Sequence, residues 1–158
     1  MIYKAIDTMK LILLILLLTP TSMVFAQNMN DSLYQTVVNN DTIAIKYFIK
    51  KGADVNFVKQ QGWMNLNLLI TAVNNKNFEA ANILLQNKAD INWKDGFDAT
   101  ALMYAAGTGD IRIVQLLIDN GADIKHKDKQ GNDAISTAKE GNNTAIVKLL
   151  KTKIKSIK

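Results

Sequence analysis

From Asp31 onward, short apolar stretches alternate with polar breaks, and the breaks return at a nearly fixed interval. Lys51-Gly52-Ala53-Asp54-Val55-Asn56 recurs as Asn87-Lys88-Ala89-Asp90-Ile91-Asn92 and as Asn120-Gly121-Ala122-Asp123-Ile124-Lys125. Thr100-Ala101-Leu102-Met103-Tyr104-Ala105-Ala106 aligns one period later with Asp133–Lys139 and one period earlier with Asn67–Val73. A weaker copy begins at Asp31. A period of this size means a stack of supersecondary units, each burying its apolar face only against its neighbours. The step from Asp54 to Asp90 is longer than that from Asp90 to Asp123 by three positions, and these extra residues fall between Asn56 and Asn67, in a connection.

Each unit predicts two short helices and a turn. Asp31, Asn67, Thr100 and Asp133 share one repeat position, and each side-chain oxygen suits an N-cap. The second helix carries the pairs Tyr47-Phe48, Ile83-Leu84, Leu116-Leu117 and Leu149-Leu150. With Ile45, Val114 and Val147 these make a one-sided core stripe. Gly52 and Gly121 stop that helix, where a left-handed residue costs glycine little. Lys88 at the same position is expected to cost about 1 kcal/mol. Lys151 stands where Ile49, Leu85 and Ile118 stand, so the segment from Lys151 to Lys158 is expected to be a solvated cap.

The segment from Met1 to Ala26 follows another pattern. Lys4 and Lys10 precede the uninterrupted apolar run Leu11–Leu18, Thr19-Pro20-Thr21-Ser22 breaks it, and Val24-Phe25-Ala26 follows. This is the three-part secretory signal, with cleavage expected between Ala26 and Gln27. Either Met1 or Met9 could start it. Eight apolar residues fall short of the about 20 that span a bilayer, and no cysteine follows to take a lipid. The expected organisation is a signal over 1–26 and a repeat domain over 27–158. Its repeats lie near 31–58, 59–94, 95–127 and 128–151, followed by a basic tail, 152–158. The mature chain is expected to be periplasmic or secreted, with no stable membrane anchor after cleavage.

The repeats resemble those of the ankyrin family, whose unit of about 33 residues starts Thr-Pro-Leu-His-x-Ala and ends Gly-Ala-Asp-x-Asn. The resemblance covers Asp31 to about Lys151, and the unit from Asp95 to Lys127 fits best. The proline after the cap is missing, with Ser32, Leu68, Ala101 and Ala134 in its place. The family histidine is also missing, replaced by Tyr34, Ile70, Met103 and Ser136. The resemblance implies an all-α ankyrin repeat solenoid of about four helix-turn-helix units joined by β-hairpin-like loops. It also implies a concave binding face built from the hairpin tips and first helices.

Composition narrows the chemistry. The chain has no cysteine, which excludes disulfides, thiol nucleophiles and cysteine-ligated zinc. The net charge is +5, falling to +4 without the signal, but Arg112 is the only arginine, so no nucleic-acid partner is expected. His126 is the only histidine and lies in a connection. Ser32, Ser136 and Ser156 have no local base, and the glutamates Glu79 and Glu140 occupy different repeat positions. Gly107-Thr108-Gly109-Asp110 lacks the strand and lysine of a phosphate loop and reads as a turn. No catalytic constellation, metal site or cofactor is expected.

Aromatic residues in the connections are unusual. Phe57, Trp63, Met64, Trp93 and Phe97 all fall there, and tryptophan is enriched at binding hot spots. Phe57, Trp93 and His126 share one repeat position, which also suits a structural slot. Trp63 and Phe97 have no aromatic counterpart and are the stronger candidates for contact. Asn74, Asn75, Gly107 and Thr108 at the ends of the first helices complete the expected partner-binding set. The expected partner is another protein, bound by a monomer. Alternatives are an inhibitor or immunity protein masking a toxin or envelope enzyme, and an accessory factor of a periplasmic redox or stress enzyme.

Overall fold

A computed structural model describes residues 20–61 and 64–156. Helix α1, Pro20–Val38, opens the described chain. Proline is tolerated in its first turn, and no glycine or further proline interrupts it. Asp31 is therefore mid-helix, not at the N-cap expected for it, and its carboxylate pairs with the Lys59 ammonium at 2.7 Å. The candidate cleavage pair, Ala26 and Gln27, is exposed within α1, whereas Leu11–Leu18 lies outside the described residues. No described helix is long and apolar enough to cross a membrane.

The remaining elements alternate as the repeats predict. Helix α2 spans Thr42–Lys50. Strands β1, Val58–Gln61, and β2, Met64–Asn67, pair antiparallel with Val58 opposite Asn67, so the connection holding the three extra residues is a true hairpin. Then come α3, Leu68–Asn74, and α4, Phe78–Gln86. Next are α5, Ala101–Thr108, and α6, Ile111–Asp119. Last are α7, Ala134–Glu140, and α8, Thr144–Ser156. Helices α1, α3, α5 and α7 stack in one layer, and α2, α4, α6 and α8 in the other. The core lies between them, with Leu33, Leu69 and Leu102 fully buried on one side and Leu84, Leu117 and Leu150 on the other.

Two of the four expected caps form. The Asn67 carboxamide oxygen accepts from the Ile70 N–H at 2.8 Å. Asp133 and Ser136 exchange bonds in a capping box. Thr100 makes no such bond, and its hydroxyl is buried without a hydrogen-bond partner. Thr100→Asn supplies the oxygen that Asn67 uses. It should raise stability by about 1 kcal/mol, read as a higher Tm in a thermal melt.

Hydrogen bonds tie the units together. Asn56 and Asn92 accept from the backbone N–H groups of Asp90 and Asp123, each one unit further on, and Asn30 of α1 accepts from that of Asp54 within the first unit, at 2.7–2.9 Å. Those aspartates accept from Asn56, Asn92 and Lys125, two residues ahead, which is why the Asp recurs. Behind the helices, Asn77 donates to the Val37 carbonyl and Asn143 to that of Ala106.

The turns confirm the left-handed position: φ is +94° at Gly52, +67° at Lys88 and +91° at Gly121. Lys88→Gly should therefore stabilise the protein by about 0.5–1 kcal/mol, measurable as a rise in urea midpoint, because it removes Cβ strain. The basic segment after Lys151 is helical through Ser156, with Lys151, Thr152, Lys155 and Ser156 exposed and Ile154 packed against the core. One expectation needs correction at the other end. Tyr47, counted in the core stripe, is exposed: among the described residues no unit lies outside the first to cover that side.

Candidate functional site

Helices α5 and α7 open successive units and lie side by side, and a groove of about 400 Å³ runs between them and their connections. Ala99, Met103 and Gly107 give it an apolar floor, while Asp128, Asn132 and Glu140 give it a polar rim. Glycine at 107 allows the close approach: a Cβ there would lie 3.1 Å from the Thr137 methyl.

The wall toward the hairpin tip is held by one buried carboxylate. Asp95 accepts from the N–H groups of Phe97 and Ala99 at 2.8 and 2.9 Å, and from the Tyr104 hydroxyl at 2.8 Å. Burial of Tyr104, together with its hydrogen bond to Asp95 and the charge there, pushes the phenol well above its usual range. Tyr104 is thus a fixed donor at neutral pH. Asp128 repeats the arrangement one unit later, accepting from the N–H groups of Gln130 and Asn132. Desolvation acts to raise its pKa, but the bonds from Asn132 and Gln130 outweigh it, and the carboxyl is held below its usual value. The rim carries the carboxylates of Asp128 and Glu140, with no lysine or arginine in the lining.

The two tips are also joined. The Lys129 N–H donates to the Phe97 carbonyl at 3.0 Å, and its ammonium to the Gly96 carbonyl at 2.7 Å. The His126 ring nitrogen lies 2.7 Å from the Asp98 carbonyl, so this half-buried ring braces the tip. Among the described residues, no group of three or more His, Asp or Glu side chains is placed to hold a metal.

Of the expected contact residues, Gly107 and Thr108 line this groove, as the last residues of α5 and not as a turn. Phe97 is 47% exposed at the tip. Asn74 and Asn75 are exposed at the end of α3, the neighbouring inner helix, outside the groove lining. Phe57 and Trp93 are half-buried and pack against the core, consistent with the structural slot. Trp63 and the Met64 side chain lie outside the described residues. The rim residues Asp128, Asn132 and Glu140 were missed. Their signal was positional, since Glu140 shares the repeat position of Asn74 and Gly107.

The model for ankyrin repeats, three copies, matches residues 33–128 and 68–157, most of the chain. The chain belongs to the ankyrin-repeat family. No curated protein matches its sequence significantly. Ankyrin repeats are protein-interaction modules, and the stacked helix pairs with their hairpin connections are the all-α solenoid expected of that family.

Proposed function

We propose that this ankyrin protein is a binding module of the bacterial periplasm or secreted space, holding its partner in the groove between α5 and α7 and against the Phe97 tip. The observation that carries the reading is an exposed aromatic beside an apolar-floored groove, braced by Asp95 and Tyr104. Rigid anchors next to a desolvated pocket are where binding energy concentrates. The uncompensated Asp128 and Glu140 rim favours a partner that offers a basic side chain, its stem on Met103 and its charge at the rim.

The test immobilises the protein and passes an envelope extract of the source cells over it. Native protein should retain a specific protein, and the Phe97→Ala, Glu140→Lys variant should lose it while melting within a few degrees of native. Retention by both proteins would remove the groove from the interface. A retained toxin or hydrolase would make the module an inhibitor or immunity protein. A retained redox or stress enzyme would make it an accessory factor.

A further inference from the structure

The first unit carries a second surface, away from the groove. Among the described residues no unit stands outside α1 and α2, and their outward side is exposed. There Ile43 is 82% and Tyr47 56% exposed on α2, and Phe25 70% exposed on α1. Phe25, Met29, Tyr47, Phe48 and Lys51 border a depression of about 340 Å³. Ile83, the counterpart of Tyr47 in the next unit, is only 5% exposed. Positions i, i+4 and i+7 or i+8 share one helix face, so Ile43, Tyr47, Lys50 and Lys51 lie along one side of α2. The Lys51 ammonium stands 5.7 Å from the Tyr47 ring centre.

The charge that α2 carries is of one sign; the exposed Asp54 beyond it, tied to α1 through Asn30, accepts from the Asn56 N–H. Lys46, Lys50 and Lys51 are all exposed. Neither α2 nor the part of α1 before Asp31 contains a carboxylate. Asp31 is paired with Lys59, and Asp41 sits at the opposite end of α2, where it caps the Ala44 N–H.

We propose that this end of the stack docks on an anionic lipid bilayer surface. Aliphatic and aromatic side chains ringed by lysines, with a phenol among them, match the headgroup boundary of such a bilayer. A second copy of the chain would set lysine against lysine. Only Thr19 separates the apolar run Leu11–Leu18 from the start of α1, so a leader engaged with a membrane delivers this end to the bilayer. Helix α2 lies downstream of the expected cleavage point at Ala26, so the lysines, Ile43 and Tyr47 outlast removal of the leader. Docked in this way, the protein leaves the α5–α7 groove open to solvent.

The test uses the full chain, so that any binding by the leader is common to every sample. Flotation with phosphatidylcholine vesicles, with and without phosphatidylglycerol, is read at low and high salt, alongside hydrogen exchange of residues 42–51. The variants are Lys46→Glu/Lys50→Glu/Lys51→Glu and Ile43→Ser/Tyr47→Ser, all at exposed positions. Native protein should prefer the anionic vesicles about a hundredfold, which follows from three surface lysines. Salt should erode the preference, and α2 should become protected. The charge-reversed variant should lose the part of the preference that exceeds what Lys4 and Lys10 of the leader supply, and the serine variant should bind more weakly while remaining salt-sensitive. Equal binding to both vesicles, an unchanged preference after charge reversal, or an unprotected α2 would each overturn the proposal. These results would leave the leader as the sole membrane contact and an acidic protein as the better occupant of this face.

Discussion

Asp95→Ala should lower stability by about 2–4 kcal/mol, because a buried charged acceptor serves three donors. Asp95 is 6% exposed, and its loss strands the Phe97 and Ala99 N–H groups and the Tyr104 hydroxyl together. Urea unfolding measures the cost, and hydrogen exchange over residues 95–100 should show the tip opening ahead of the helices. Tyr104→Phe is the matched control: it removes one donor and leaves both backbone bonds, so it should cost about 1 kcal/mol. Because the phenol stays protonated well above neutrality, that difference should not change between pH 6 and pH 9, roughly the span below an ordinary tyrosine pKa. A cost for Asp95→Ala no larger than that of Tyr104→Phe would mean water replaces the carboxylate. The tip would then not be braced for binding.

The repeat phase was legible because each recurring residue does one job in one place. The Asp of each turn accepts an N–H two residues on, and the glycine or lysine before it is left-handed. What failed was reading a repeat position as a guarantee of role. Asp31 shares the position of Asn67 and Asp133, yet α1 runs through it, since helix termination depends on what precedes the cap. Tyr47 shares the position of Ile83, yet burial in a stack depends on a neighbour, and among the described residues the first unit has none on that side. The groove was harder to see, because it is made by residues of two units that meet only once α5 packs on α7. The aromatic residues split for the same reason. Phe57 and Trp93 recur and fill a slot, and Phe97, which does not recur, stays at the tip. The asparagine ladder was visible in the recurring Asp-x-Asn, but its partner lies a full unit away and had no local signature.

Gly141→Ala should cost about 2–3 kcal/mol and detach the last unit. Gly141 has φ of −75°, a conformation that alanine adopts freely. Conformation alone would therefore predict a gain of about 0.4–1 kcal/mol from a stiffer unfolded chain. Space decides otherwise: the added Cβ would lie 2.7 Å from the Gly107 carbonyl oxygen and 2.6 Å from the Asn143 side-chain nitrogen. The carbonyl is backbone at the end of α5 and cannot swing away. The Asn143 carboxamide is the tie that holds the Ala106 and Gly107 carbonyls at 2.8 and 3.1 Å. Either α7 retreats from α5 or the tie breaks and strands those acceptors. Gly96→Ala is the control, since no atom lies within 4 Å of its would-be Cβ, and it should be close to neutral. In a stack each unit is stabilised only by its neighbours, so the damage should stay local. Hydrogen exchange should accelerate across α7 and α8 while α3 and α4 keep their protection. The same variant should lose the partner captured by the native protein, because the groove walls are α5 and α7 themselves. A native-like melt would show that these helices can part without cost, and a groove between helices so loosely joined could not be a rigid binding site.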